Sequence, residues 1–469
     1  MGSQSLMDNK ASDYSTLVPP QEIRIRLTSD RWYPSSARLH DGSVIILGGQ
    51  ITAESVNNPT YESFPAKNIN RYNGLQIPPQ FFEDTLPHNT FPHVHALPSK
   101  KLFVAANNQD ILLDWENNVE TRLPNFPNGQ RVVYPMNAAG VLLPLTPANN
   151  YTPEVFICGG SHLSQVDALK EEDIDAHHEY GSTQCSRMVL SDAGIAAGWQ
   201  VEYMPEPRVI PEGVLFPNGK VVIINGGRTS TAGYGNSQYR IGDSKADNPT
   251  FTPLLYDPSL QLGNGLPDLT CRLAILRGYT TASRKYPLFI AAMCRAKYHT
   301  ALASTLLPSG AILIGGSNPN DAMETRPWPS EYRVEYLNPS YMFAERPTYT
   351  GLPAMVNYGT TFTLSVSVPS LTAPVKAVLM DLGFITHSVH MDQKVVELVS
   401  TLSADRRTLT ITAPPNAPGK FLSSTVAAAY LIMMFTQKLM IGTGAPPPKD
   451  DAATVNILAN TPNPISGPH

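Results

Sequence analysis

The stretch PNGKVVIINGG (217–227) decides the fold. Pro-Asn-Gly supplies a tight turn, because an Asn-Gly pair accepts the positive φ that a hairpin needs. Four β-branched residues follow, Val221 to Ile224, long enough for one buried strand. A Gly-Gly pair then ends the strand. The same layout recurs in HDGSVIILGG (40–49) and PSGAILIGG (308–316), and FICGG (156–160) keeps its strand and exit. A degenerate copy, PSKKLFVAANNQ (98–109), ends near residue 106. Counted from residue 49, successive exits are 57, 54, 67 and 89 residues apart. A turn, a strand and a Gly-Gly exit repeating at about 50 residues predict the blades of a β-propeller.

Composition agrees. The chain has 469 residues with 43 prolines and 32 glycines, and helix-period apolar runs are scarce, which favours an all-β protein rich in turns. That length suits one large domain and a smaller one. Charged residues are 16% and the net charge is −5, so no basic face is implied and nucleic acid is excluded as a partner. Cys158, Cys185, Cys271 and Cys294 show no CxxC spacing, which argues against a zinc site. Their even number fits either disulfides or buried thiols. Asn150-Tyr151-Thr152 is a glycosylation sequon, with a plain polar loop as its alternative. The first 20 residues read as a disordered tail without the apolar core of a signal peptide. STVAAAYLIMMF (424–435) is too short to span a bilayer and reads as a buried strand or helix, so no membrane contact is expected.

After residue 345 the rhythm changes. YGTTFTLSVSV (358–368), VKAVLMDLGF (375–384), KVVELV (394–399) and RTLTITAPP (407–415) have the spacing of an immunoglobulin-like β-sandwich. The expected organisation is a kelch-type propeller over 21–344 and a sandwich over 345–460, with the boundary in AERPTYTGLP (344–353). LTCRLAILRGYTTASRKYPLFIAAMC (269–294) has no blade rhythm and is expected to be an irregular surface excursion.

Several stretches together resemble the copper radical oxidases, specifically the fungal glyoxal oxidase branch related to galactose oxidase. They are RWYPSSARLHDGSVIILGG (31–49), FPHVHALPSKKLFV (91–104), VEYMPEPRVIPEGVLFPNGKVVIINGG (201–227), KYHTALASTLLPSGAILIGGSNPN (297–320), VEYLNPSYMF (334–343), YGTTFTLSV (358–366) and DLGFITHSVHMDQKVVEL (381–398). The resemblance implies a seven-bladed propeller, incomplete here, followed by the sandwich. It implies one copper ion held by Tyr33, Tyr298, His299 and His387. Loops of equivalent phase in different blades meet at a propeller axis, so distant tyrosines can share one ion. Imidazoles and phenol oxygens suit tetragonal Cu(II). The family oxidises a small aldehyde or primary alcohol by two electrons, using copper and a tyrosyl radical, and dioxygen leaves as hydrogen peroxide. By resemblance Tyr33 bears the radical, and Tyr298 is the axial ligand and base. The chain is then expected to be extracellular and monomeric.

The chain departs from the family in three ways. The family's radical tyrosine carries a thioether to a cysteine tens of residues upstream, and no cysteine precedes Tyr33 here. An N-terminal truncation would account for the missing cysteine, leader and first blade together, and impaired turnover is expected. The 269–294 segment sits where the family runs almost directly into its Tyr-His pair. An aromatic PGYY-like strand is missing from 420–436. Cys158, which closes its own strand, reads as a buried thiol, with a Cys158–Cys185 disulfide as the rival.

Single residues are weighed against plainer roles. Neighbours on an extended strand point to opposite faces, so Tyr298 and His299 can share an ion only from a bent segment. His390 reads as a surface residue or a support for a ligand. His93 and His95 share one strand face and read as structural, since no third ligand is evident nearby. Arg208 is a candidate for holding a polar substrate, with an inter-blade salt bridge as the alternative. KEEDID (170–175) reads as a solvated loop. Two further functions stay in view: an inactive propeller lacking the Cys-Tyr cofactor, and a kelch-type binding scaffold.

Overall fold

A computed structural model of the chain describes residues 27–51, 56–163, 180–232, 246–260, 303–315, 334–343, 345, 347–370, 372, 374–415, 424–429, 437–441 and 447–460. The tail, KEEDID, the 269–294 segment with its two cysteines, Tyr298 and His299 lie outside the described residues. Within them the chain is nearly all-β, as its turn-rich composition requires. The α-helices are short: Gln80–Asp84, Asp192–Ala197 and Asp451–Asn460. No helix of the described residues is long and apolar enough to cross a membrane.

The chain forms two compact units. The first comprises Met1–Leu123, Pro418–Lys420 and Pro446–His469, and the second Pro124–Ala417 and Phe421–Ala445. In the first unit, Ser35–Arg38, Val44–Leu47 and Tyr61–Phe64 make one antiparallel meander, and His93–Ala96, Leu102–Ala106, Gln109–Asp114 and Val119–Arg122 make another. Alternation decides the faces: in VIIL, Ile45 and Leu47 are fully buried while Val44 and Ile46 are not. Ile45 and Leu47 join Tyr61, Phe81, Leu102 and Val104 in one core. The terminal helix buries Ala453 and Ile457 against Ala66, so it packs in this unit although the chain reaches it from the sandwich strands.

The second unit holds three more blade-like meanders among the described residues. They are Ala138–Leu142 to Gln200–Arg208 (four strands), Glu212–Leu215 with Val221–Ile224 and Leu254–Tyr256, and Ala303–Leu306 with Ile312–Gly315 and Val334–Leu337. All four stretches expected in the sandwich form strands: Thr361–Ser367, Lys376–Asp381, Lys394–Leu402 and Thr408–Thr412. Leu364, Leu379, Val396, Leu409 and Ile411 fill its core. The apolar run from residue 424 begins as a strand, Ser424–Ala429, paired with Lys376–Asp381 and Gln437–Ile441. A hairpin of the sandwich segment, Phe384–Thr386 and Val389–Met391, leaves its own sheet. It extends the four-stranded blade through Val389, opposite Gly140.

The Gly-Gly exits have a steric cause. Gly49 has φ 91°, and a β-carbon there would sit 2.6 Å from the Trp32 carbonyl oxygen. Gly160 has φ 88°, and its β-carbon would sit 2.2 Å from the Arg131 carbonyl oxygen. Both conditions exclude a side chain: the left-handed backbone and the neighbouring main chain. Ser161 and Arg131 exchange backbone hydrogen bonds of 2.8 and 3.1 Å, which hold that approach closed.

Cys158 and Cys185 are joined in a disulfide, which corrects the reading of Cys158 as a buried thiol. The two residues face each other across antiparallel strands with Cα atoms 4.0 Å apart, a separation that strand pairing enforces without any bend of the chain.

Gly160→Ala is expected to cost about 2–4 kcal/mol of stability, from the left-handed backbone and the clash together. Gly129 also has positive φ, 69°, but nothing lies within 4 Å of its β-carbon position. Gly129→Ala should therefore cost only about 1 kcal/mol. Urea unfolding measures both, and equal losses would show that the close approach is not what demands glycine.

Candidate functional site

The residues expected to hold the metal come from separate parts of the chain. Tyr33 lies in the first unit, just before strand Ser35–Arg38. Trp32 and Gln50 exchange backbone hydrogen bonds of 2.6 and 2.7 Å, which pins the segment to the Gly-Gly exit. Tyr33 itself has φ 59°, an uncommon conformation for a bulky side chain and one that cost arguments place at functional positions. Its carbonyl accepts the Phe91 backbone N–H at 2.8 Å, and its ring stacks on Phe91 with centroids 4.7 Å apart.

Arg31 explains why the chain turns there. Its side chain is fully buried, Nε donates to Glu62 Oε1 at 2.7 Å, and Nη1 donates to the Gly48 and Thr60 carbonyls at 2.9 Å each. The guanidinium therefore ties the segment before Tyr33 to the strand exit and to the third strand of the same meander. Burial works against its charge and the Glu62 carboxylate opposes that penalty. Sequence reading missed Glu62, since YESF (61–64) carries no local mark beyond a strand pattern.

His387 lies in the second unit, at the tip of the hairpin Phe384–Thr386 and Val389–Met391. His387 and Ser388 form its two-residue loop, with φ 47° and 69°. Both values are positive, the pattern that two-residue hairpins ordinarily fill with Asn-Gly. Filling it with His-Ser costs backbone strain and fixes the direction of the imidazole. Asn137 Nδ2 donates to the His387 carbonyl at 2.6 Å, and the His387 ring meets Tyr134 edge-on at 6.1 Å. Thr386 Oγ1 lies 2.6 Å from His387 Nδ1. Burial pulls the His387 pKa down to about 4, so the ring is neutral at physiological pH.

These observations fit a metal ligand. A neutral imidazole whose Nδ1 is engaged by a hydroxyl offers Nε2 as the coordinating atom, and second partners of this kind are usual for metal-bound histidine. Among the described residues no group of three or more His, Cys, Asp or Glu could hold a metal ion. The expected donor set is different in kind, since it uses two phenols and draws two members from residues 298 and 299.

Other candidates fall where packing puts them. His93 and His95 are buried in their sheet, at 1% and 5% exposure, and His95 stacks on Phe103 at 6.1 Å. His390 is buried, and desolvation lowers its pKa to about 4 as well. Arg208 is fully buried: Nη1 donates to the Asn225 carbonyl at 2.7 Å and Nη2 to the Thr252 carbonyl. A polar cluster that sequence reading missed lies beside it. Glu212 is buried at 1% exposure, and its Oε2 accepts a 2.9 Å hydrogen bond from Asn225 Nδ2. The same nitrogen donates to Ser304 Oγ at 2.9 Å.

Replacing Ser388 by glycine should relieve the left-handed strain at the hairpin tip and raise stability by about 1 kcal/mol. Thermal unfolding of Ser388→Gly measures it, and a loss of stability would mean that the buried hydroxyl matters more than the backbone.

Comparison with known proteins connects these positions to a family. The description "Glyoxal oxidase N-terminus" matches residues 12–341, and "Galactose oxidase-like, Early set domain" matches 346–429. An aldehyde oxidase GLOX of Vitis pseudoreticulata is 32% identical over 419 residues, covering 86% of this chain and 70% of that protein. An aldehyde oxidase GLOX1 of Arabidopsis thaliana is 28% identical, covering 84% of this chain and 61% of its own length. A solved structure described as a fungal alcohol oxidase of the AA5 family in complex with copper shares the fold, with a TM-score of 0.60 over 89% of this chain and 77% of that one, at 15% identity. The first of these matches spans the RWYP segment and the second the His387 hairpin, and the chain belongs to the glyoxal oxidase family.

Proposed function

We propose that this chain oxidises small aldehydes or primary alcohols with dioxygen at a single copper ion, releasing hydrogen peroxide. The observation that carries the reading is His387: a neutral, desolvated imidazole held at the tip of a strained two-residue turn, with Nδ1 engaged by Thr386. Tyr33, Tyr298, His299 and His387 are the proposed ligands, His387 through Nε2. Bound copper and a radical on Tyr33 would supply the two one-electron acceptors that the oxidation needs. An alcohol gives up two electrons and two protons to become an aldehyde, and a hydrated aldehyde does the same to become an acid. Dioxygen takes up both pairs and leaves as hydrogen peroxide, so the balance closes without an organic cofactor.

The chain's own residues have assigned tasks. Tyr298 takes the hydroxyl proton of the substrate. Arg31 and Phe91 keep the Tyr33 segment in its left-handed turn, and Asn137 and Thr386 orient His387. Arg208, fully buried and bonded to the Asn225 and Thr252 carbonyls, is proposed to help hold a polar substrate. Cys158 and Cys185 are bonded to each other, so neither serves as a thioether partner of Tyr33. The working unit is proposed as a monomer, with 21–344 as a kelch-type propeller and 345–460 as the sandwich segment that delivers His387.

We also propose an extracellular location. The Cys158–Cys185 disulfide fits an oxidising compartment. Asn150 of the sequon is exposed, in a left-handed turn between Ala138–Leu142 and Glu154–Gly159.

Copper titration should give one ion per chain. His387→Ala should weaken binding by at least about tenfold, as loss of a ligand or its support does. Tyr33→Phe should reduce peroxide release from glyoxal, methylglyoxal or a primary alcohol by at least about a thousandfold, or about 4 kcal/mol of barrier. Full copper affinity in His387→Ala would overturn the ligand assignment. Secreted from yeast behind an added leader, the chain should lose mass on glycosidase treatment, and Asn150→Gln should not. An unmodified Asn150 in that secreted chain would contradict the proposed location.

A further inference from the structure

Two segments far apart in the chain fold alike. RWYPSSARLHDGSVIILGGQ (31–50) and RVIPEGVLFPNGKVVIINGG (208–227) match position for position in structure. Arg31 Nη1 donates to the Gly48 carbonyl at 2.9 Å, and Arg208 Nη1 donates to the Asn225 carbonyl at 2.7 Å. Each arginine also reaches the carbonyl of a threonine beyond the exit, Thr60 and Thr252. Val209 and Gly227 exchange backbone hydrogen bonds of 2.8 and 3.0 Å, as Trp32 and Gln50 do. A β-carbon on Gly226 would sit 2.8 Å from the Val209 carbonyl oxygen and 3.2 Å from the Pro211 nitrogen, the counterparts of the obstacles at Gly49. The strands agree as well: Ser35–Arg38 and Val44–Leu47 in one segment, Glu212–Leu215 and Val221–Ile224 in the other.

Ile210 therefore stands where the first unit places Tyr33. Both residues precede a proline, and both have a left-handed backbone, with φ 53° and 59°. For a β-branched residue that conformation is strained. Glycine or asparagine would make the same turn with less strain, so the turn alone does not call for isoleucine. Position within the second unit gives the side chain a use. The Ile210 backbone N–H donates to the Asn137 carbonyl at 2.9 Å. Asn137, itself fully buried, donates through Nδ2 to the His387 carbonyl at 2.6 Å. One asparagine thus holds the Ile210 turn through its backbone and the His387 turn through its side chain.

We propose that Ile210 is a specificity-determining residue, an apolar wall beside His387 that receives the alkyl end of a small aldehyde or primary alcohol. In the first unit the left-handed residue between arginine and proline presents a phenol, a proposed copper ligand. In the second unit the same position presents a hydrocarbon side chain that cannot ligate a metal. Against such a wall a hydroxyl loses water without gaining a hydrogen bond, whereas a methyl or methylene group gains by burial. The site therefore favours substrates with a short alkyl end over polyhydroxylated ones. The inference rests on the copper reading above and deepens it by naming the substrate class.

The experiment uses the full chain loaded with Cu(II) and titrates it with acetate, propionate and butyrate. Carboxylates offer oxygen donors to Cu(II), these three are not oxidised there, and they differ only in alkyl length. The electron paramagnetic resonance spectrum of the copper reads their binding without turnover. In the native chain each added methylene should tighten binding by about fourfold, the gain expected for a buried CH₂. Ile210→Asn accepts the left-handed turn but replaces the wall by an amide. It should hold copper affinity within about threefold and cut the gain to less than about twofold per methylene. If Ile210→Asn does not fold, Ile210→Ala takes its place with the same expected changes. A copper-loaded native chain with no gain along the series would overturn the inference alone, as would a folded variant that keeps the full gain. A folded variant that loses copper affinity tenfold would also overturn it, by showing that Ile210 supports the metal site instead of selecting substrates. A native chain that binds no copper would overturn the copper reading, and the inference with it.

Discussion

At three blade exits, Gly49, Gly160 and Gly226, the strand leaves its sheet past the main chain of a neighbouring segment, and that approach leaves no room for a β-carbon. At Gly49 the obstacle is the Trp32 carbonyl, one residue before Tyr33, and at Gly160 it is the Arg131 carbonyl. The Gly49 exit and the Tyr33 turn therefore lie at the same end of their meander for a steric reason. Arg31 shows how the contact is held in the first unit. Its guanidinium binds the Gly48 carbonyl directly, so the strand exit, the third strand and the Tyr33 turn share one buried cation. A side chain at the exit would displace that segment and carry Tyr33 with it.

Much of this was readable because period and turn chemistry are local. The Asn-Gly and Asp-Gly turns, the β-branched runs and the Gly-Gly exits each act within about ten residues, and all became strands where expected. The four sandwich strands followed from alternation alone, as in TFTLSVS, where Leu364 is buried and its neighbours are not. What stayed hidden depends on long-range contact. Nothing in YESF marks Glu62 as the partner of Arg31, and nothing near Asn137 foretells its bond to a carbonyl 250 residues away. The terminal helix is a similar case: its burial of Ala453 and Ile457 needs Ala66, from the other end of the chain. The disulfide stayed the second of two readings of Cys158, because cysteines 27 residues apart are neighbours only once strand register is known.

The structure settles its buried ionisable groups in two ways. Glu62 meets a guanidinium with which it forms an ion pair, at side-chain exposures of 0% and 2%. Such a pair is retained only when its hydrogen bonds are complete, and Arg31 completes them on the Gly48 and Thr60 carbonyls. Glu212 meets no such cation among the described residues, only an amide and a hydroxyl, and burial favours its protonated form instead. The two histidines that follow the same logic, His387 and His390, lose their protons and remain neutral.

That distribution of charge bears on the proposed chemistry. A metal ligand must present a lone pair, so an imidazole that stays unprotonated well below neutral pH is ready to coordinate without first losing a proton. Placing a carboxylate instead of a carboxylic acid at Glu212 would add an anion close to that neutral environment. It would favour protonation of nearby imidazoles, because an opposite charge in a medium of low dielectric raises their pKa. A Glu212 held neutral by burial thus leaves those lone pairs undisturbed.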